Sequence, residues 1–311
     1  MVVDSREAFL LSRELTEIEA ILACISSVAV LLCARAGAEE AGKRSELFET
    51  WQAAGQLREE RRVEKETYTL VLWTHRGQFD VSGAIREKMI DPAALFDQVL
   101  SVYDWVVPHS IEALGGPVRD VHVVLVDGYE KESTSAALRG TNVILNEIRR
   151  WHERLGASES RREILYGSAA HEFFHLQNYR TDPDESKFGR EFHAMVWESS
   201  ILVRRNGGPG LWGMIRSLKA RAVAEGTALD GDFAATYDAV RTRGLAFHVA
   251  NLLLRKGGVE AIEAVAKALL HDEGDGVASL DAALAARGGD LTYGSALEGY
   301  RAFVRKAGAG E

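Results

Sequence analysis

Residues Gly167–Tyr179 read GSAAHEFFHLQNY. His171 and His175 stand four apart, and Glu172 directly follows the first of them. Residues four apart on an α-helix project from one face, so these two imidazoles can bind a single metal ion. Glu172 lies one position round the helix, within reach of a water on that ion without being a ligand. Two zinc ligands and a general base on one helical turn are the mechanical content of the HExxH pattern. The flanking residues support a helix over 161–180. Ile164, Leu165, Ala169, Phe173 and Leu176 form a buried stripe, and the small residues of GSAA allow close packing of a neighbour. A plain core helix whose histidines bond to neighbours is the rival reading.

Two histidines do not complete a catalytic zinc site, which needs a third protein ligand and an open position. A histidine six residues past His175, with glycine three past it, would extend the motif, but Thr181 and Asn178 stand there. Asp182, Asp184 and Glu185 lie in the following turn. Glu191, His193 and Glu198 lie in the next helical stretch, GREFHAMVWESSILV. Glu198 comes far enough after His175 for a loop and a second helix to return antiparallel, and it is the preferred third ligand. Glu191 and His193 remain as alternatives.

Working outward, TYTLVLWTH (Thr67–His75) alternates and is rich in β-branched and aromatic residues, which predicts a strand. DPAALFDQVLSVYDWVV (Asp91–Val107) opens with a capping Asp91 and Pro92 at the first helical position, and its helix is expected to stop at or shortly after Pro108. DVHVVLVDG (Asp120–Gly128) and GTNVILNE (Gly140–Glu147) are further strands, with a polar loop between them, and residues 148–155 are helical. From Phe188 onward only helices are expected, at 189–205, 209–224, 232–255, 258–271, 276–287 and 293–306. This order predicts an α+β zincin-like fold: a small mixed sheet with helices packed on the zinc helix, then an all-α C-terminal lobe. The chain divides into an apolar segment 1–40, a charged helix or linker 41–65, an α+β lobe 66–186 with the zinc helix, and a helical lobe 187–311 carrying the third ligand.

HEFFHLQ followed by VWESS resembles the gluzincin metallopeptidases, the peptidase-MA-like group. The resemblance implies His171 and His175 as zinc ligands, Glu172 as general base, and Glu198 after Trp197 as the third ligand. It further implies that the strand GTNVILNE is the edge along which a peptide or protein substrate binds. A tyrosine that stabilises the oxyanion is often found at the start of a later helix in that group. Here the spacing falls near Arg241–Arg243, with Tyr237 one turn earlier, so Tyr237 is the candidate; Arg241, Arg243 and His248 can also donate.

Composition narrows the rest. The 311 residues include 37 basic and 46 acidic side chains, a formal charge of −9, which argues against general nucleic-acid binding. The two cysteines, Cys24 and Cys33, exclude a disulfide framework and any cysteine metal site in the main body. Ala20–Ala34 has no charge; it is shorter than the roughly 20 residues of a membrane span and fits the apolar core of a signal peptide. The acidic lead before it is wrong for export, and a buried helix is the other reading. If residues 20–34 act as a signal, the protein is secreted or membrane-anchored; otherwise it is cytoplasmic. Two functions are carried forward: a zinc-dependent hydrolase, a metallopeptidase, and a catalytically inactive zincin-fold zinc-binding or interaction protein.

Overall fold

The computed structural model describes residues 46–129, 134–138, 140–157, 159–181, 187–224, 233, 237–271 and 276–308. The apolar stretch 20–34 therefore lies outside the described residues, as do Asp182, Asp184 and Glu185. No helix among the described residues is long and apolar enough to cross a membrane. The chain divides at Glu49/Thr50; apart from the first turn of α1, everything discussed below belongs to Thr50–Glu311.

A short helix, α1 (Leu47–Ala53), ends at Gly55, whose φ of 66° is the left-handed conformation that glycine adopts without strain. The five-stranded sheet has the order β1-β2-β3-β5-β4, with β1 (Leu57–Glu64), β2 (Thr69–His75), β3 (Asp120–Val126), β4 (Ser135–Ala137) and β5 (Val143–Glu147). β2, β3 and β5 run parallel, and β1 and β4 close the two edges antiparallel. The interior strands LVLW, VVLV and VIL are apolar on both faces because both faces are covered, as parallel strands require.

Two edge strands differ from the sequence expectation. Leu57–Glu64, read as charged helix or linker, is strand β1, and every one of its residues keeps some exposure. Its Glu and Arg side chains favour a helix locally, but backbone pairing to β2 decides, and the charges then line an edge. Arg62 binds Glu59 through two 2.9 Å hydrogen bonds, and Arg61 donates to Asp97 at 3.1 Å. Charged residues on an edge resist pairing with foreign strands. β4 falls inside the segment read as a polar loop, so the edge beside the zinc-motif helix is Ser135–Ala137, and Val143–Glu147 is an interior strand. Three small residues carry too little pattern to mark a strand.

Between β2 and β3 come α2 (Ser82–Glu87) and α3 (Pro92–Leu114). The Asp91 carboxylate accepts from the N–H groups of Ala93 and Ala94, and Pro92 follows, as the sequence predicts. The helix does not stop near Pro108 but continues to Leu114 and ends at Gly115, φ 72°. Proline deprives the carbonyl four residues earlier of its donor. That carbonyl belongs to Asp104, and the Tyr68 hydroxyl stands 3.4 Å from it while donating to the Asp104 carboxylate at 2.7 Å.

The remainder is helical: α4 (Ile148–Leu155), α5 (Glu159–Thr181), α6 (Lys187–Ala224), α7 (Ala239–His271), α8 (Gly276–Gly288) and α9 (Tyr293–Gly308). α6 is broken at Gly207 and α7 at Gly257 and Gly258, so each is two helices joined across glycine. One apolar core runs from the sheet through α3 and α5 into α6, α7 and α9. Gln177 ties α5 to the sheet: it accepts from the Val118 N–H at 3.0 Å and donates to the Val118 carbonyl at 3.1 Å.

Candidate metal centre

α5 presents His171 and His175 on its buried face, 6% and 3% exposed. Their Nε2 atoms lie 3.0 Å apart, with the rings near perpendicular. α6 starts at Lys187 and returns along α5. This places Glu191 beside both imidazoles, with Oε2 3.3 Å from His171 Nε2 and Oε1 3.5 Å from His175 Nε2. Ligand atoms about 2.1 Å from a tetrahedral zinc ion stand roughly 3.4 Å from one another. The two imidazoles are close to that spacing, and the Glu191 carboxylate offers one oxygen to each of them, Oε2 to His171 and Oε1 to His175. His171, His175 and Glu191 are the group of donors that could hold a metal ion among the described residues.

Glu198, the preferred third ligand, occupies a different place. Its Oε2 lies 3.3 Å from Nδ1 of His171, the ring edge turned away from the three-donor cluster, and it also accepts from Arg243 at 3.1 Å. The reason is helical geometry. Glu191 and Glu198 are seven residues apart and share one stripe of α6. Because α6 runs antiparallel to α5, the later residue meets the earlier turn. Gly167 sits in that turn; a Cβ there would lie 3.1 Å from Glu198 Cγ. The expected close packing at GSAA is therefore present, and what it admits is Glu198.

Glu172 turns towards the sheet, where its Oε2 accepts from the backbone N–H of Ala137 at 2.7 Å. Tyr237 precedes α7, with the Lys187 ammonium 4.5 Å from its ring centroid. Burial raises the pKa of its hydroxyl, and the Glu191 charge adds to that. Of the other proposed donors, Arg243 reaches the site through Glu198. Arg241 stacks over Phe233, and His248 lies against Tyr300 and Phe303. His193 is buried on α6 beside Phe192 and is not among the three clustered donors.

The charges are strongly coupled. Burial alone would depress His171, but the carboxylates of Glu191 and Glu198 overcome it and raise its pKa to about 10. His175 is lowered, chiefly by burial. Burial opposes the ionised form of Glu191, and the two imidazoles nonetheless hold it well below the ordinary carboxylate range. Glu198 is lowered against its own burial by Arg243 and His171. Two imidazoles with carboxylates beside them are a donor set that could hold a cation. Residue spacing revealed both histidines; only the packing of α6 on α5 distinguishes Glu191 from Glu198.

No family model and no curated protein matches the chain. Among solved structures, an M1 zinc metallopeptidase from Deinococcus radiodurans superposes with a TM-score of 0.50 at 14% identity. The alignment covers 79% of this chain and 51% of that one. The fold resembles that of an M1 zinc metallopeptidase. A mutant of that enzyme bound to a Tyr-Ser-Ala substrate gives 0.47, and a two-domain mutant form bound to L-arginine gives 0.48, each at 14% identity over 80% of this chain and 51% of that one. The chain thus spans about half the length of the structures it matches, and at this identity the likeness concerns the fold alone.

Proposed function

We propose that the protein is a zinc-dependent hydrolase acting on peptides. The observation that carries this reading is the meeting of two buried imidazole Nε2 atoms, of His171 and His175, with the partly buried carboxylate of Glu191, at 3.0–3.5 Å, with Glu172 next to the first histidine. His171, His175 and Glu191 would hold the ion. When bound, zinc supplies a Lewis acid and brings the pKa of a coordinated water towards neutrality. Glu172 takes the proton of the attacking water and delivers it to the leaving amine. Tyr237, its hydroxyl kept protonated by burial and by Glu191, donates to the carbonyl oxygen as negative charge develops there. Glu198, itself held by Arg243, orients the His171 ring through Nδ1, the role an outer carboxylate plays at histidine-ligated metals.

A peptide fits the outer edge of β4. Leu138 and Thr134 pair with β5, so in the alternating antiparallel pattern the backbone of Ser135 and Ala137 faces outward; the Ala137 N–H is taken by Glu172, which leaves the Ser135 backbone and the Ala137 carbonyl for a peptide. Extended peptides add to such edges. The decisive test is Glu172→Gln. It should retain about one zinc per chain and lose at least about 100-fold in cleavage of a peptide library. Cleavage at the parent rate sinks the reading. A parent protein that binds one zinc and cleaves nothing is instead a zincin-fold binding protein.

A further inference from the structure

The Ala137 N–H that holds Glu172 belongs to a strand with little to hold it. β4 is three residues long, pairs on one side only, and consists of Ser, Ala and Ala. Such side chains bury too little apolar surface to fix a strand. A buried polar network reaches it instead. Trp151 Nε1 of α4 donates to Ser135 Oγ at 3.1 Å. Across the β4–β5 ladder Ser135 faces Asn146, whose Oδ1 accepts from the Tyr103 hydroxyl of α3 at 3.0 Å. The Tyr103 hydroxyl also bonds Ser135, and it lies close enough to Glu172 to feel its charge. The Tyr103 and Trp151 rings stack with centroids 5.8 Å apart. Tyr103, Asn146 and Trp151 are fully buried, and Ser135 is 6% exposed. An apolar core would pack this space as well without the desolvation of four polar groups. What the network adds is a fixed position for β4 from both α3 and α4.

We infer that Tyr103, Ser135 and Trp151 are positioning residues for Glu172: they hold β4 so that the Ala137 N–H fixes one carboxylate oxygen and leaves the other turned to the attacking water. The inference rests on the reading of Glu172 as general base.

The test uses the full chain, with and without zinc, and compares amide hydrogen exchange at Ala137 in the parent and four variants. Glu172→Ala removes the acceptor. Ser135→Ala and Tyr103→Phe loosen the strand. Ser110→Ala, which removes a buried hydroxyl bonded to Val106 on the same helix as Tyr103, is the control. Exchange at Ala137 should quicken at least about tenfold in the first three and stay at the parent rate in the control. With zinc content unchanged, Ser135→Ala and Tyr103→Phe should lower kcat about 10- to 100-fold and leave KM within about twofold. Parent-rate exchange at Ala137 in both variants overturns the inference, as does unchanged kcat with zinc bound. If Tyr103→Phe fails to fold, Ser135→Ala decides alone, since it deletes a single oxygen. If the parent cleaves no peptide, the proposed function fails while the exchange comparison still decides whether this network holds the strand, because it needs neither zinc nor substrate.

Discussion

At the scale of single residues, the two acids of α6 stand on different sides of His171. Glu191 stands with the two Nε2 atoms and Glu198 stands behind His171. Glu191→Gln should therefore abolish stoichiometric zinc binding. Glu198→Gln should keep zinc but weaken it about 10- to 100-fold, the usual effect of losing a group that orients a ligand. Competition with a chromogenic chelator measures both, and the opposite order would exchange the two roles. That His171 and His175 meet could be read from sequence because four-residue spacing is local information. Glu191 against Glu198 could not, because both lie on one stripe of α6. The choice was made by Gly167, which lets Glu198 sink against the earlier turn of α5.

At the scale of elements, strong local chemistry was legible and contextual pairing was not. Asp91 and Pro92 announce the start of α3, and the cap is present. Asp91→Ala should lower stability by about 1 kcal/mol, read from the midpoint of urea unfolding; a change within error would mean that the cap contributes nothing here. The end of the same helix was misjudged because Pro108 looks like a stop. Tyr68, forty positions earlier, binds the Asp104 side chain beside the carbonyl that proline leaves, and no local window contains that fact. β1 was hidden for a related reason: LREERRVE has helical residues, and only its pairing with β2 makes it a strand. β4 was hidden by brevity, although its edge backbone faces Glu172.

At the scale of the whole molecule, strands first and helices after them sufficed to predict an α+β fold, since no strand pattern follows residue 187. The order β1-β2-β3-β5-β4 was not legible, because it depends on β4 doubling back beyond β5. The helical part makes its own prediction about acid. His248 of α7 is half-buried against α9, and that burial, aided by Arg255, lowers its pKa from 6.5 to about 4. The unfolded chain therefore takes up this proton first as pH falls. His248 contributes no loss above about pH 6.5, a growing loss between 6.5 and about 4, and nothing further below that, at most about 3 kcal/mol in all. Urea unfolding across this window should show the slope, and His248→Gln should flatten it. An equal slope in the variant would assign the acid sensitivity elsewhere.

The contact between α7 and α9 reaches further than stability. Each helix opens a glycine to a ring of the other: a Cβ on Gly244 would lie 2.1 Å from the Tyr300 hydroxyl, and one on Gly299 would lie 3.0 Å from His248 Nε2. Two such notches, one on each helix, fix how far α7 can slide and turn. Arg243 is the residue next to Gly244, and it holds Glu198, which in turn holds His171. The α9 helix is thus the far end of a chain of contacts that reaches the His171 ring. A helix with none of the candidate donors on it therefore still touches, at three removes, the ring that Glu198 holds.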